Sequence, residues 1–347
     1  MPRPVSNPPN PWHSTHVEWL EEPPAARLTV YEEEARSVVT ENQSPDVSFR
    51  YGVNPYRGCQ HGCAYCYARP THGYLDFGAG TDFERRIVVK TNAPELLARE
   101  LTRPALRGET IVFSGNTDCY QPLEASYELT RRCLKVCRDR VNPVAITTKG
   151  ALVRRDVDVL EQIVERTAER VGERNGVRVF LSIPFASERT ARAIEPSAST
   201  PSRRFETLRI LHEHGIPTGV SLAPLIPGLN DQDVPEILTR AREAGADVAF
   251  QTLVRLPKEV LPVFRERLAE AFPERVRKVE NAIRELRGGA WSNARFEERM
   301  RGTGPRWDAV QRMFEIQCKR LGFNRRGPEE AVDERRASSG QGTLFDE

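Results

Sequence analysis

Short apolar runs alternate with longer amphipathic stretches through the middle of the chain. The apolar runs are bounded by Gly, Pro or Asn and predict six buried strands, at 47–54, 110–114, 144–148, 177–183, 218–225 and 248–253. The stretches between them repeat their apolar residues about every 3.6 positions and predict helices over 93–102, 124–140, 157–171, 202–214 and 234–244. Strands that alternate with helices favour an α/β fold with a parallel sheet. An open partial barrel of six strand–helix units and a doubly wound sheet both fit this count.

The two ends of the chain have different patterns. The beginning is rich in Pro, Glu and Ser, which predicts a flexible or loosely packed arm, although the segment 28–40 is expected to dock on the body. After the last strand the pattern is helical, with helices at 260–271, 273–287 and 307–321. The predicted units are an N-terminal arm at 1–45, a barrel at 46–256, a C-terminal helical subdomain at 257–325 and a disordered tail at 326–347.

Composition indicates a globular protein. Charged residues make up 29% and apolar residues 39% of the 347 positions, as in ordinary folded domains. The net charge of +2 indicates no general attraction to nucleic acid, although a local basic face is invisible in the sum. No apolar run is long enough to span a bilayer. The first residues lack the apolar region of a signal peptide, so we expect a cytoplasmic protein.

Three cysteines lie close together, at Cys59, Cys63 and Cys66, with the spacing C-x3-C-x2-C. Seven cysteines in the whole chain are too sparse for a disulfide scaffold. A closed zinc site takes four ligands, whereas a [4Fe–4S] cluster held by three cysteines leaves one iron open for a substrate or cofactor. A zinc site that recruits His61 or a distant cysteine is the alternative. Zinc sites usually combine two close pairs, and no second pair lies nearby.

The three-cysteine motif, with the aromatic Tyr65 before its last cysteine, resembles the signature of radical S-adenosylmethionine (radical SAM) enzymes. The resemblance implies a partial (β/α)6 TIM-like barrel and a [4Fe–4S] cluster on Cys59, Cys63 and Cys66, whose open iron binds S-adenosylmethionine. It also implies an electron donor such as flavodoxin or ferredoxin. The donated electron cleaves the cofactor to methionine and a 5′-deoxyadenosyl radical, which abstracts hydrogen from a substrate. Tyr65 is expected to pack near the adenine.

Polar residues follow three of the predicted strands, at the end where a barrel places its chemistry. After the second strand, Ser114, Asn116 and Asp118 carry acceptors that suit the ammonium group of S-adenosylmethionine. The alternative is that Asn116 and Asp118 are ordinary turn residues. After the third strand, Lys149 suits the carboxylate of this cofactor, unless it faces solvent. After the fourth strand, Ser182 completes the expected cofactor contacts.

Longer motifs resemble the uncharacterised bacterial branch of the radical SAM family that is related to spore photoproduct lyase, and the resemblance extends from Leu28 to Leu321. The motifs are Asn-Pro-Tyr-Arg-Gly-Cys-x-His-Gly-Cys-x-Tyr-Cys-Tyr-Ala-Arg-Pro at 54–70, Ser-Gly-Asn-Thr-Asp-Cys-Tyr-Gln-Pro-Leu-Glu at 114–124, Thr-Thr-Lys-Gly at 147–150 and Ala-Pro-Leu-Ile-Pro-Gly-Leu-Asn-Asp at 223–231.

This kinship implies a thiol that returns a hydrogen atom to the product radical. Cys119 is our candidate because it follows the second strand, whereas Cys133, Cys137 and Cys318 are expected in the core. The leading hypothesis for the substrate is damaged or modified DNA, repaired by a photoproduct lyase-like reaction. RNA, a peptide and a small metabolite are the alternatives within the same enzyme class.

The end of the chain carries one further motif. Gln341, Leu344 and Phe345 resemble the peptide by which bacterial DNA repair and replication proteins dock on the sliding clamp. A flexible tail would present two apolar anchors to a preformed pocket; alternatively, the tail folds back on its own domain. A hypothesis from another class follows, in which the chain is a non-catalytic, clamp-associated iron–sulfur or zinc protein.

Overall fold

The computed structural model of the protein describes residues 27–47, 49–171 and 176–324. Its strands are β1 Thr29–Glu33, β2 Val39–Glu41, β3 Tyr51–Val53, β4 Tyr56–Arg57, β5 Arg86–Lys90, β6 Ile111–Phe113, β7 Val144–Thr148, β8 Val177–Ser182, β9 Thr218–Leu225 and β10 Val248–Leu253. Its α-helices are α1 Thr81–Arg85, α2 Ala93–Glu100, α3 Glu124–Tyr127, α4 Leu129–Arg140, α5 Val157–Val171, α6 Glu188–Ile194, α7 Pro201–Glu213, α8 Val234–Glu243, α9 Val260–Ala271, α10 Val276–Leu286 and α11 Pro305–Leu321. Short 3-10 helices cover Arg69–Leu75, Pro104–Leu106, Ala151–Asp156, Asp231–Asp233 and Pro273–Arg275.

The larger sheet in the described residues has the strand order β10-β9-β8-β7-β6-β3-β2. The strands from β3 to β10 in this sheet are parallel, and β2 pairs antiparallel with β3. The parallel strands of this sheet lie side by side in the order in which they occur in the chain, as in a barrel. A doubly wound sheet would instead reverse its order at a switch point. Because β10 and β2 are opposite edges, the barrel is partial and open. The prediction of an α/β partial barrel is confirmed.

A smaller sheet pairs β5 with β1 in parallel and with β4 antiparallel. Strands β1 and β2 belong to the stretch predicted as an arm, and their pairing confirms that the segment 28–40 docks on the body. The boundary at 45 stays a prediction. The first barrel strand is shorter than predicted, because the chain before Tyr51 turns back from β2; here the Asn42 side chain donates to the carbonyl of Phe49 at 2.9 Å.

Helix α4 shows how the apolar pattern builds the core. Leu129, Cys133, Leu134 and Cys137 recur every three or four positions and are buried on one side of the helix. The core placement predicted for Cys133 and Cys137 is therefore confirmed, and Cys318 on α11 is buried in the same core. Within the described ranges, no helix has both the length and the apolar character needed to cross a membrane.

The C-terminal helices divide between two hydrophobic clusters. Helices α9 and α10 contribute Phe264 and Ile283 to a cluster that also contains Tyr65. Helix α11 packs on α8 and adds Trp307 and Phe314 to the main core. The C-terminal helices thus contact both the cysteine loop and the outside of the barrel, while the boundary at 257 remains a prediction.

A segment at 293–301, here called the strap, connects the two edges of the open sheet. At the β10 edge, the Leu253 N–H donates to the Met300 carbonyl at 3.0 Å. Arg287 donates four hydrogen bonds, to one carbonyl after β10 and to three carbonyls in or next to the strap. At the other edge, Asp46 in the β2–β3 turn accepts from the strap backbone and from the Arg299 guanidinium. The strap therefore closes the seam of the partial barrel.

We expect Asp46→Asn to loosen the strap. The change removes the charge that pairs with Arg299 and replaces one of the two accepting oxygens with an amide NH2 group, so one of the two bonds to the strap is lost at a cost of about 1–3 kcal/mol. The measurement is limited trypsin digestion, with cleavage expected first at the arginines of the strap and with the far-UV spectrum unchanged. Glu41→Gln, which removes an exposed pair with Arg50 in the same hairpin, is the matched control. Equal digestion rates of the Asp46 variant and the wild type would contradict this role.

Candidate metal and cofactor site

The three predicted metal ligands lie in a loop that directly follows β4. Gly58 and Gly62 in this loop have φ angles of +79° and +66°, a conformation that L side chains rarely adopt. Cys59 and Cys63 are buried, and Cys66 is partly exposed. The two glycines allow a tight path that gathers all three thiols at the end of the barrel where the parallel strands terminate.

Burial raises the pKa of all three thiols. The pKa of Cys63 rises to about 12, with the Glu195 carboxylate adding to the effect of burial. The pKa values of Cys59 and Cys66 are also raised, chiefly by burial. Neighbouring thiols contribute to the shifts of Cys59 and Cys63, so the sulfur atoms lie within electrostatic range of one another. Because iron binds the thiolate form, metal binding at this loop would release protons.

The donor set is three thiols from one loop, which is the set that a [4Fe–4S] cluster with one open iron requires. No group of three or more Cys, His, Asp or Glu side chains, within the part of the chain that the structure describes, is gathered tightly enough to hold one metal ion. In a [4Fe–4S] cluster each thiolate binds a different iron, so the ligands need not converge on one point. Three soft thiol donors from one loop fit such a cluster.

Arg69 holds the backbone of the cysteine loop. Its side chain is fully buried and donates to the carbonyls of Gly62 and Cys63 at 2.9–3.1 Å, and to the carbonyls at 79–80 at 2.9 Å. Glu84 completes its environment with an ion pair of 2.5 Å. A Cβ atom at Gly62 would lie 3.0 Å from this carboxylate. Arg69 therefore binds backbone carbonyls of the cysteine loop, which is neither helix nor strand.

Two glutamines join the cysteine loop to the loop after β6. The Gln60 N–H donates to the Gln121 side chain at 3.0 Å, and the Gln121 amide donates to the Gly58 carbonyl at 3.1 Å. In return, the Gln60 side chain accepts from the Leu123 N–H at 2.8 Å. The motif at 114–124 thus has a structural role, because its glutamine fixes the path of the cysteine loop.

Asp118, predicted as a cofactor ligand, is surrounded by protein donors. It accepts from the N–H of Tyr120 at 2.9 Å, the hydroxyl of Thr148 at 2.6 Å and the N–H of Lys149 at 2.8 Å. Nδ1 of His61 lies 3.2 Å away, at ion-pair distance but outside hydrogen-bonding geometry. Burial opposes ionisation here, but His61 and the hydrogen bonds outweigh it and hold the pKa of Asp118 well below its usual range. These contacts show that Asp118 positions the turn after β7.

Ser114 and Asn116 shape the same loop. Ser114 has a φ of +68°, and its hydroxyl accepts from the Cys119 N–H at 2.8 Å. The Asn116 N–H donates to the Asn54 side chain at 3.1 Å, while the Asn116 amide makes no hydrogen bond with other described residues. Of the three predicted ligands for the ammonium group, Asn116 therefore has the side chain most available to a ligand.

Lys149, Ser182 and Tyr65, all predicted to contact the cofactor, meet in one buried network. The Lys149 ammonium donates to the Ser182 hydroxyl at 2.8 Å and lies 5.7 Å from the centroid of the Tyr65 ring. The Tyr65 hydroxyl donates to Glu195, which also pairs with Arg204. Burial and the Glu195 carboxylate raise the pKa of Tyr65 well above its ordinary value, so its hydroxyl remains a donor. The sequence therefore identified residues that the fold brings together.

Cys119 occupies a different environment. Its side chain is fully buried in the main core, and its pKa is well above the ordinary value, chiefly because of burial. Its backbone carbonyl accepts from the Thr130 hydroxyl at 2.7 Å. Burial of this kind is typical of a packing residue, and the role of Cys119 as a hydrogen donor stays a prediction.

Four of the buried charged residues, all beside the cysteine loop or the Tyr65 network, escaped sequence reasoning: Arg69, Glu84, Glu195 and Arg204. Arg69 stands inside the quoted motif at 54–70 but received no role. Glu195 accepts a hydrogen bond from the hydroxyl of Tyr65, which lies 130 positions away in the chain, and no motif surrounds Glu195. Isolated charged residues in a chain that is 29% charged give no signal of burial, so only the fold could reveal these pairs.

Comparisons with known proteins agree with this geometry. The model of the radical SAM superfamily matches residues 53–241. An uncharacterised protein of Mycobacterium tuberculosis (strain ATCC 25618 / H37Rv) is 35% identical over 238 residues, which cover 68% of this chain and 68% of that protein. A protein of Pseudomonas phage M6 named radical SAM Nalpha-GlyT isomerase is 23% identical over 242 residues, 69% of this chain and 46% of that protein.

A solved structure of spore photoproduct lyase complexed with dinucleoside spore photoproduct is similar in fold. Its TM-score is 0.61 at 15% sequence identity, over 85% of this chain and 80% of that chain. At this identity the likeness concerns the fold alone.

We expect Arg69→Lys to weaken the cysteine loop. Lysine keeps the charge beside Glu84 but cannot reach all the carbonyls, and each buried acceptor left without a donor costs about 1–3 kcal/mol. The variant should show a lower melting temperature and less iron per chain after anaerobic reconstitution. Arg85→Lys, one residue beyond the buried Glu84, is the matched control. Iron content and melting temperature equal to the wild type would argue against this role for Arg69.

Proposed function

The chain belongs to the radical SAM superfamily, and on this basis we propose that Cys59, Cys63 and Cys66 hold a [4Fe–4S] cluster at which S-adenosylmethionine is cleaved. Membership implies both cofactors and a reductant such as flavodoxin or ferredoxin. When bound and reduced, the cluster supplies one electron that cleaves S-adenosylmethionine to methionine and a 5′-deoxyadenosyl radical, which abstracts hydrogen from the substrate. The observation that carries the proposal is the loop of three thiols at the C-terminal ends of the parallel strands.

The buried network beside the loop would bind S-adenosylmethionine. Lys149 offers an ammonium group to the carboxylate of the cofactor, and Ser182 holds that ammonium in place at 2.8 Å. Asn116 offers its free side-chain oxygen to the amino group. The Tyr65 ring, fixed through its hydroxyl by Glu195, provides a flat apolar surface for adenine. Ser114 and Asp118 would support this pocket by positioning the two loops rather than by direct contact.

Lys149 would also balance the charge of the cluster ligands. Its ammonium and the Arg204 guanidinium lower the pKa of Cys63, against the larger opposing effects of burial and Glu195. Positive groups near a thiolate stabilise its charged form. All seven cysteines are free, which fits a reducing compartment such as the cytoplasm.

We place damaged or modified DNA first among substrates, in a photoproduct lyase-like repair reaction. The similar fold of spore photoproduct lyase, seen with a dinucleoside lesion, and the motifs shared with its branch support this choice. The clamp-binding motif at Gln341, Leu344 and Phe345 would supply a DNA-bound partner, but it lies outside the described residues. RNA, a peptide or a small metabolite are alternative substrates for the same chemistry.

A second candidate is an isomerase, favoured by the name of the phage M6 relative. A lyase and an isomerase would share the cluster and the hydrogen abstraction and would differ in the fate of the substrate radical. The product, and not the initial radical chemistry, distinguishes the two.

The test of the proposal is 5′-deoxyadenosine formation by anaerobically reconstituted, reduced protein with S-adenosylmethionine. Alanine at Cys59, Cys63 or Cys66 should reduce the yield to background, because each thiolate binds one iron. Ultraviolet-irradiated DNA should raise the yield of the wild type above that with intact DNA. Cys318→Ala, in the core far from the loop, is the matched control and should retain the yield.

Two outcomes would contradict the proposal. A yield indifferent to damaged DNA would keep the radical chemistry and reject DNA as the substrate. If native protein holds zinc and the triple Cys→Ala protein unfolds, the enzyme hypothesis is rejected in favour of a non-catalytic, clamp-associated metal protein.

The role of Cys119 has its own test. If its thiol returns hydrogen to the product radical, Cys119→Ala should still form 5′-deoxyadenosine but release aberrant products. If the buried thiol is a packing residue, the same change should lower the melting temperature and leave the product pattern as in the wild type. Cys133→Ala, at an equally buried position of α4, shows the effect of packing alone. Product analysis by mass spectrometry separates the two results.

A further inference from the structure

Arg255 lies two residues after the end of β10, at the mouth of the partial barrel. Its guanidinium lies over the ring of Tyr67, 5.6 Å from the centroid. Tyr67 follows Cys66 in the chain, is 46% exposed, and donates to the carbonyl of Gly115 in the loop after β6 at 2.7 Å. Arg255 therefore stands beside the candidate cluster site, on the side open to a substrate.

Among the described residues, Arg255 makes no direct contact with a carboxylate. It is only partly exposed, and it forms no hydrogen bond or ion pair with any residue in the described ranges of the chain. The carboxylate that influences it is that of Asp46, which already binds Arg299 and the strap backbone. Arg287 is also near; its two terminal nitrogens donate to backbone carbonyls, while its Nε has no hydrogen-bond partner among the described residues. Arg255 and Arg299 thus share the Asp46 carboxylate, and the Arg287 guanidinium adds a third positive group near Arg255.

This arrangement is unfavourable in the absence of a ligand. A partly buried charge needs an acceptor, and neighbouring charges of the same sign add to the cost. Burial and the charge of Arg299 lower the pKa of Arg255. An uncompensated charge in a cleft beside a reactive centre is the pattern expected of a binding residue. A ligand that brings negative charge would relieve it.

We propose that Arg255 binds a phosphodiester group of a nucleic-acid strand, a proposal that rests on the proposed function and names the contact for its substrate. A planar guanidinium matches two phosphate oxygens better than an ammonium does. Tyr67 exposes an aromatic ring beside it, and Phe296 on the strap exposes another, with 53% of its surface accessible. Exposed rings next to a positive group are typical of sites that stack unpaired bases.

The contact is distinct from the one proposed for S-adenosylmethionine. Lys149, our candidate for the carboxylate of that cofactor, follows β7, and the strands β8 and β9 separate β7 from β10. Lys149 lies over the ring of Tyr65, whereas Arg255 lies over the ring of Tyr67. The two cations therefore serve two different parts of the mouth.

The experiment compares the reconstituted wild type with Arg255→Gln and Arg255→Lys. Binding of a fluorescently labelled, ultraviolet-irradiated single-stranded oligothymidylate is measured by anisotropy at several salt concentrations, and binding of S-adenosylmethionine is measured in parallel by calorimetry. Arg209→Gln, on the exposed face of α7, is the matched control. We expect Arg255→Gln to weaken oligonucleotide binding about tenfold and to reduce the slope of log K against log salt by about 0.7, the effect of one lost phosphate contact. Arg255→Lys should keep the slope and lose part of the affinity.

Each opposing result has a different meaning. If Arg255→Gln binds the oligonucleotide with the same affinity and the same salt slope as the wild type, this inference is overturned. The proposed function is not affected by that result. Loss of S-adenosylmethionine affinity instead would also overturn the inference, because the anion would then be the carboxylate of the cofactor. A wild type that binds no oligonucleotide would reject the nucleic-acid substrate itself, together with this inference.

Discussion

A buried loop without regular structure must find partners for its backbone in side chains, and the candidate site depends on this constraint. The cysteine loop forms neither helix nor strand, yet much of it is enclosed. The planar guanidinium of Arg69 donates hydrogen bonds to carbonyls of this loop, and the side-chain amide of Gln121 donates to another carbonyl from the neighbouring loop. The thiols gain defined positions because the carbonyls around them are held. The geometry of the loop therefore rests on residues that bind no cofactor themselves.

The second organising feature is a balance of buried charge. Glu84 pairs with Arg69, and Glu195 pairs with Arg204, so both of these buried carboxylates meet a guanidinium. Lys149 lies 3.9 Å from Glu195 and adds a further positive group. Buried pairs of this kind contribute little net stability, but loss of one partner is costly. The arrangement thus favours one geometry of the site rather than a more stable fold.

The sequence predicted the fold more completely than the site. Strands of a parallel sheet are buried on both faces and therefore appear in the sequence as continuous apolar runs. The six strands and the helices between them could be predicted for this reason, and α9 begins and ends at the predicted residues. The spacing of Cys59, Cys63 and Cys66 also marked the loop. The assignment of Asp118 to the cofactor stays a prediction, and its bonds to the N–H groups of Tyr120 and Lys149 could not be read from the sequence, because a carboxylate after a strand looks the same whether it faces a ligand or a backbone N–H. Glu195 and Arg204 were missed because two opposite charges nine positions apart form no recognisable motif in a highly charged chain, and because Tyr65, the other partner of Glu195, is 130 positions away.

The contact between the strap and the β2–β3 turn has a consequence for biosynthesis. The bond from the Glu297 backbone to Asp46 spans 251 positions, whereas Arg69 and Glu84, which hold the cysteine loop, are 15 apart. The entropic cost of closing a loop grows with its length. During translation the contacts of Arg69 that hold the cysteine loop can therefore form early. The contact between the strap and the β2–β3 turn must wait until the chain has been made as far as Glu297.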